Sequence, residues 1–267
     1  MKTTFCMIIV VLLITADVSA QESVIRIRLF QRWRERIAGF LPCEASADTL
    51  QDRRFLEELS RQYPDNLAVY TAMVFADKAF RHAEKERLHK AQTASTLGKA
   101  QLGILLLHEW LDTSYIPTGQ AKELDRFKTL HQAETLLEAG YKARGDPFIG
   151  YLLAVAFSYD SSRETRFQDM RQQLLSALQH FVPATMVRQI TEVKATERPD
   201  PLTVVGTIPA ENRRPVKTIL TTYREWLMLR EWIGTIEPGK PRVRKQIRPT
   251  EEAKRLARYL EQVIARL

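Results

Sequence analysis

The stretch LLEAGYKARGDPFIGYLLA, residues 136–154, limits the possible folds more than any other, because one helix pattern ends in it and another begins almost at once. Gly145 favours the end of a helix, since glycine takes a positive φ at low cost. Asp146 can accept hydrogen bonds from the first N–H groups of a new helix, and Pro147 suits its first turn. The stretch therefore predicts a tight corner between two packed helices.

Apolar residues recur at helical spacing along the chain, whereas strand-like alternation is scarce. The stripes comprise Phe55, Leu56, Leu59 and Tyr63; Leu67, Tyr70, Val74 and Phe75; Gly103, Leu106, Leu107, Trp110 and Leu111; Leu124, Phe127, Leu130, Leu137 and Tyr141; and Ile149, Leu152, Leu153 and Ala156. We predict an all-α fold, an array of antiparallel helical hairpins (solenoid-like) with a C-terminal helical extension. Gly103 and Gly150, early in the first helix of a pair, predict close packing.

Two segments within residues 66–190, GKAQLGILLL and HQAETLLEAGYKARGDPFIGYLLAVAF, share one pattern. Together they show a first helix with small residues, a second helix rich in alanine and leucine, and then a short glycine corner. In this pattern the sequence resembles Sel1-like and related tetratricopeptide-like repeats. The resemblance implies a right-handed α/α array that holds other proteins, usually without catalysis. The Gly-rich loop usual inside a Sel1-like unit is replaced by DTSYIPTGQ.

The first 20 residues have the three parts of a cleavable secretory signal: the positive Lys2, an apolar run over 5–14, and small residues at 18–20. An uncleaved anchor is disfavoured, because the run is shorter than the roughly 20 residues that span a bilayer. We expect cleavage near Ala20 and a periplasmic or secreted location in a bacterium. Cys6 then leaves with the signal, and we expect the remaining Cys43 to be buried rather than paired between chains.

Three regions are expected after the signal peptide at 1–20. Basic capping helices occupy 21–65, the helical-hairpin repeat array 66–195, and a Pro-rich connector with C-terminal helices 196–267. In the last region LTVVGTI, residues 202–208, is the one strand-like run. VKTILTTYREWLMLREWIG, residues 216–234, predicts a single helix that is apolar nearly all round, with Trp226 and Trp232 on different faces.

The sequence lacks the familiar catalytic motifs: no phosphate-cradling Gly-rich loop, GxSxG, HExxH or CxxC occurs. The best metal candidate is His82, Glu86 and His89, which share one helix face but need a fourth ligand or a water. A solvated polar face with a Glu–His contact is the simpler interpretation. We therefore predict no resident metal, no cofactor and no catalytic residue.

Two basic stretches are candidates for contact with a partner. The first, residues 24–41, predicts either an N-terminal helix that caps the array through its apolar side or a helix on an anionic membrane surface. The second, GKPRVRKQIRP, is either a binding surface or a solvated linker that its prolines hold extended. The partner-binding candidates are Lys240, Arg242, Arg244, Lys245, Arg248, Trp226 and Trp232.

A net charge of +8 favours an acidic partner, a polyanionic wall or a membrane surface. Secretion argues against nucleic acid as the natural target. We therefore expect a non-catalytic, periplasmic or secreted protein-binding module, such as an immunity or inhibitor protein or an envelope adaptor. The alternative is a cell-wall-active hydrolase or lyase on a helical scaffold, which would need two carboxylates that converge in a groove.

Overall fold

The computed structural model describes residues 27–90, 95–113, 120–159, 165–195, 197–228, 230–233 and 244–267. The predicted secretory signal lies outside these residues. Where the chain is described, the regular structure is nearly all helical, which confirms the predicted all-α class. In the same part of the chain, no helix is both long and apolar enough to cross a membrane.

Twelve helices are described along the chain. They are α1 (27–38), α2 (Arg53–Gln62), α3 (Leu67–Ala76), α4 (Lys78–Lys90), α5 (Thr96–Thr113), α6 (Gln120–Arg144), α7 (Pro147–Tyr159), α8 (Thr165–Gln179), α9 (Ala184–Thr191), α10 (Pro201–Gly206), α11 (Arg213–Met228) and α12 (Glu251–Ile264). Two single-turn 3-10 helices, Thr49–Gln51 and Ala210–Asn212, precede α2 and α11. Helices that follow one another in the chain pack together, most extensively α5 with α6 and α7 with α8.

The C-terminal region differs from the sequence prediction at two places. LTVVGTI forms α10 rather than a strand, because Asp200 accepts hydrogen bonds from the N–H groups of Leu202 and Thr203 and Pro201 occupies the first turn. The helix predicted over 216–234 ends at Met228. A strand, β1 (Arg230–Ile233), follows and pairs antiparallel with β2 (Arg244–Ile247), so that Arg230 lies opposite Ile247.

Helix starts follow the capping residues that are visible in the sequence. The side chains of Asp52, Asn66, Asp77, Asp146, Asp200 and Thr250 each accept a hydrogen bond from one or two backbone N–H groups of the first turn that follows. Each bond satisfies a donor that has no partner inside its own helix. These local signals explain why most helix boundaries are readable from sequence.

The corner between α6 and α7 has the predicted geometry. Gly145 has a φ of 63°, and its N–H donates to the carbonyl of Tyr141 at 2.8 Å. Asp146 then accepts from the N–H of Phe148 at 2.9 Å and caps α7. Two residues thus end one helix and begin the next, and the predicted tight corner is confirmed.

Glycines allow α5 and α6 to approach closely in antiparallel orientation. A Cβ atom at Gly103 would lie 3.0 Å from Cγ of Leu137, and one at Gly140 would lie 2.9 Å from Cβ of Ala100. The contacting positions therefore rise in number along α5 as they fall along α6, as expected for antiparallel helices. The close packing predicted for Gly103 is confirmed, whereas Gly140 was not singled out by its sequence.

Replacing Gly150 with leucine is expected to destabilise the protein by about 2–3 kcal/mol through overpacking. A Cβ atom at this buried position would lie 2.8 Å from Cε2 of Tyr141. The tyrosine ring cannot move freely, because its hydroxyl is hydrogen-bonded to Ser176 at 2.6 Å. Urea unfolding of the purified variant measures the loss.

The matched control is Gly206→Leu. Gly206 is exposed, and nothing lies within 4 Å of where its Cβ would be. We expect the control to change the free energy of unfolding by less than about 0.5 kcal/mol. Equal unfolding midpoints for the two variants would contradict the packing of α7 on α6.

One hydrophobic core joins the three predicted regions. It contains Trp33 from α1, Leu153 from α7 and Leu260 from α12, together with the apolar faces of the helices between them. The basic N-terminal segment and the C-terminal extension therefore pack on the same core as the hairpins. Cys43 is half-buried against this core and unpaired, so it is less buried than expected.

The apolar side of α1 faces the protein interior. Trp33 and Ile37 have no exposed surface, whereas Ile27 is 62% exposed at the start of the helix. This placement corresponds to the capping interpretation. The apolar face that contact with a membrane would need is covered by the rest of the chain.

Candidate functional site: a basic groove at the start of α12

A groove of about 900 Å³ lies where the segment after α9, the end of α11 and the start of α12 meet. Twelve residues line it: Val193, Lys194, Ala195, Arg198, Leu227, Arg248, Pro249, Thr250, Glu252, Ala253, Arg255 and Tyr259. Its volume is in the range of about 300–1,000 Å³ that is usual for ligand-binding clefts.

The groove is strongly cationic. Lys194, Arg198, Arg248 and Arg255 line it, and Glu252 is the single acidic residue among its described lining residues. Lys194, Arg248 and Arg255 are exposed, and Arg198 is half-buried. Clustered charges of one sign in a cleft attract ligands of the opposite sign. The arrangement therefore suits an anionic ligand.

Arg198 is held in one orientation at the wall of the groove. Its Nη2 donates to the carbonyls of Glu192 at 2.9 Å and Val193 at 3.4 Å. Its guanidinium carbon lies 5.5 Å from the centre of the Tyr259 ring, in cation–π contact. Tyr259 is fixed in turn, because its hydroxyl donates to the carbonyl of Pro199 at 2.9 Å.

Burial raises the pKa of Tyr259 to about 12, although the charge of Arg198 acts in the opposite direction. The phenol therefore stays neutral at physiological pH and keeps its proton for the bond to Pro199. The other terminal nitrogen of Arg198, Nη1, is buried and has no hydrogen-bond acceptor in the part of the chain that the structure describes. A buried donor without an acceptor costs about 1–3 kcal/mol.

Glu252 remains a carboxylate. A hydrogen bond from its own backbone N–H, a second with the Thr250 side chain, and the charges of Arg255 and Lys194 lower its pKa, against a smaller desolvation effect. A general acid at neutral pH needs a raised pKa. Glu252 is therefore suited to orienting nearby cations, such as Arg255 at 3.9 Å, and unsuited to protonating a leaving group.

The structure places the predicted partner-binding residues in different environments. Arg248 lines the groove, whereas Trp226 is 4% exposed and stacks on Tyr223 in the core, with ring centres 5.5 Å apart. Trp226 is therefore not part of an exposed surface, contrary to its proposed role. Trp232 lies in β1, and Arg244 and Lys245 lie in β2, with side chains outside the described set. Lys240 and Arg242 fall outside the described residues altogether.

Sequence reasoning missed Lys194, Arg198 and Arg255 as members of this site. Lys194 and Arg198 flank the Pro-rich connector, and Arg255 lies one turn into α12. Each looks like an ordinary solvated cation when the sequence is read locally. The available signal was the basic run that precedes α12, but it does not indicate which other cations converge on it.

The metal candidate is only partly described. His82 and Glu86 lie 3.5 Å apart on an exposed face of α4, as the solvated-face interpretation predicts. The side chain of His89 lies outside the described residues. Among the side chains that are described, no cluster of three or more His, Cys, Asp or Glu residues could hold a metal ion.

A second groove, of about 790 Å³, lies between α4 and α5. Lys85 forms an ion pair with Glu109 at 2.8 Å, and both residues line this groove. Its apolar lining residues Leu102, Leu105 and Leu106 are each at most 8% exposed. Three basic residues, Lys78, Arg81 and Lys85, and two acids, Glu109 and Asp112, line this groove. It is therefore less cationic than the basic groove, and its leucines are largely covered, so it offers less to an acidic partner.

The fold and the basic groove together define an all-helical protein with a cationic cleft near its C-terminus. The chain matches no protein-family model, no curated protein and no solved structure.

Proposed function

We propose that the protein is a non-catalytic binding module that holds an acidic protein partner in the basic groove. The observation that carries the proposal is the convergence on one cleft of four cations from two separate segments, the one after α9 and the one at the start of α12. Cations this close together repel one another, so an acidic partner gains from relieving that repulsion as well as from direct attraction. Glu252 is the one acidic residue among the described residues that line the groove, and its single charge cannot neutralise the four cations.

A periplasmic or secreted location is part of the proposal and rests on the signal-like first 20 residues. An immunity or inhibitor protein and an envelope adaptor are two forms that such a module takes, by analogy with the repeat family that the sequence resembles. The wall-active hydrolase or lyase has less support, because Glu252 is held ionised and the described residues that line the groove include no second carboxylate.

The double variant Arg248→Gln/Arg255→Gln is expected to weaken binding of an acidic partner about tenfold, or about 1.4 kcal/mol. Both side chains are exposed, so the fold should tolerate the change. The dependence of affinity on salt should also become flatter, because fewer charges are screened. Capture from envelope extracts, followed by mass spectrometry, identifies the partner. Titration of the purified partner at increasing salt then gives the affinity and its salt dependence.

The matched control is Arg54→Gln/Arg61→Gln, which removes the same charge from exposed positions on α2. We expect the control to bind like the unchanged protein. Equal losses in both double variants would indicate a general charge effect and contradict a role for the groove. Retention on purified cell wall, with release of soluble wall fragments and no protein partner, would favour the wall-active enzyme.

A further inference from the structure

We infer that the groove recognises an acidic peptide segment in which a carboxylate lies next to an apolar side chain, and that Arg198 anchors the carboxylate. This inference rests on the proposed function and specifies the chemistry of the partner. It follows from three properties of the groove: a pre-positioned guanidinium, three exposed cations, and apolar walls.

The guanidinium of Arg198 is already ordered before any ligand binds. Two backbone carbonyls and the Tyr259 ring hold it, and Tyr259 is itself held by Pro199. A pre-positioned side chain loses little conformational freedom on binding. Arg198 lines the groove, and its Nη1 has no hydrogen-bond acceptor among the described residues, so a carboxylate oxygen seated against the guanidinium would supply one. Arginine matches the planar geometry of a carboxylate better than lysine does.

The other cations of the groove are less restrained. Arg248 has no ion-pair partner among the residues that the structure describes, and Arg255 makes only a 3.9 Å contact with Glu252. Exposed charges of this kind accelerate association and tolerate different positions of the opposing charges. They suit further acidic residues at either side of the anchored carboxylate.

The walls beside these cations are apolar. Val193, Ala195, Pro249 and Tyr259 line the groove and are each only half-buried. A small inorganic anion would leave this surface exposed to water, whereas a peptide can cover it with an apolar side chain and gain about 25 cal/mol for each Å² covered. The combination favours a peptide over a free phosphate.

Selection from a displayed library of random nonapeptides tests the inference, with the purified full chain as bait. We expect enriched sequences to contain aspartate or glutamate next to a large apolar residue. A synthetic peptide of the enriched sequence, titrated by fluorescence anisotropy, should bind Arg198→Gln at least about tenfold more weakly than the unchanged protein. Arg198→Lys should recover only part of the affinity, because its charge lacks the planar fork.

Two further variants keep the result interpretable if Arg198→Gln proves unstable. Arg248→Gln removes an exposed charge and should weaken the peptide about threefold with an unchanged melting temperature. Arg61→Gln on α2 is the control and should leave peptide affinity unchanged. Replacing the apolar residue of the peptide with serine should also weaken binding.

Three outcomes would overturn the inference: no common sequence after selection, a peptide whose affinity is the same for Arg198→Gln, or inorganic phosphate that binds the groove more tightly than the peptide. Failure here is distinguishable from failure of the proposed function. If groove-dependent capture of an acidic protein succeeds while peptide selection fails, the inference is wrong and the binding module stands. If capture shows no dependence on the groove, the proposed function itself fails.

Discussion

Replacing Trp33 with alanine is expected to destabilise the protein by about 3–5 kcal/mol, the usual cost of removing a fully buried aromatic side chain. Trp33 has no exposed surface. Its ring packs on Phe75 of α3 with centres 5.2 Å apart, and its Nε1 donates to the hydroxyl of Tyr159 at 3.2 Å. One side chain thus joins α1 to two other helices, and its removal leaves a cavity between them.

Urea unfolding measures the loss, and Ile27→Ala provides the control. Ile27 lies on the same helix but is 62% exposed, so its truncation should cost less than about 0.5 kcal/mol. Tyr159→Phe isolates the hydrogen bond to the indole and should cost about 1 kcal/mol. If Trp33→Ala unfolds at the same urea concentration as Ile27→Ala, α1 does not pack on the core as described.

A partly buried ion pair lies beside this contact. Arg36 of α1 donates to Glu225 of α11 at 2.9 Å and lies 5.9 Å from the centre of the Trp33 ring. Burial by itself lowers the pKa of Arg36, but the nearby Tyr151, Tyr159 and Glu225 outweigh it, and the net pKa is raised. Arg36 therefore stays charged, and its ion pair with Glu225 helps to hold α1 against α11.

Replacing Arg214 with alanine is expected to cost about 3–4 kcal/mol, because three backbone carbonyls lose a charged donor at once. Nη1 of Arg214 donates to the carbonyl of Cys43, and Nη2 donates to the carbonyls of Ala38 at 2.5 Å and Ala45 at 3.3 Å. Ala38 ends α1, and its carbonyl also accepts from the N–H of Leu41 at 3.4 Å, so Arg214 adds a charged donor at the end of the helix and fixes the turn that follows it.

The expected result has two parts that can be measured separately. Urea unfolding gives the loss of stability, and hydrogen exchange at residues 38–45 should show faster exchange even under conditions where the protein stays folded. Lys217→Ala, one turn further along α11 and exposed, is the control and should change neither quantity. Unchanged exchange at 38–45 in Arg214→Ala would contradict the role of this arginine.

The helices were largely predictable because their signals are local. Asp146 and Gly145 act on backbone groups within a few residues, so the corner at the end of α6 follows from sequence alone. The close approach at Gly103 and Gly150 was predicted from small residues at helical spacing, and both glycines do face a neighbouring helix.

The errors lie where two local signals compete. LTVVGTI is rich in β-branched residues, but the cap at Asp200 and the proline after it favour a helix start. The run over 216–234 is apolar nearly all round, so its periodicity did not reveal that α11 ends at Met228. The pairing of β1 with β2 links segments that are separated in the chain and therefore left no periodic signal.

The candidate groove was predictable only in part. Arg248 was singled out because it follows a dense basic run, and it does line the groove. Trp226 was assigned to a partner surface because its helix is apolar nearly all round, yet its neighbours in the fold bury it. Whether a large apolar residue faces the core or a partner depends on what packs over it.

Amino-acid order alone was sufficient for the helical class, the caps and the α6–α7 corner, since each depends on interactions between residues close together in the chain. The grouping of Lys194 and Arg198 with Arg255, and the attachment of α1 through Trp33, depend on contacts between segments far apart in the chain. Such contacts follow from how the helices share one core, because close packing allows few arrangements of their faces. For the same reason, basic residues that are dispersed in the sequence line one groove only after the chain has folded.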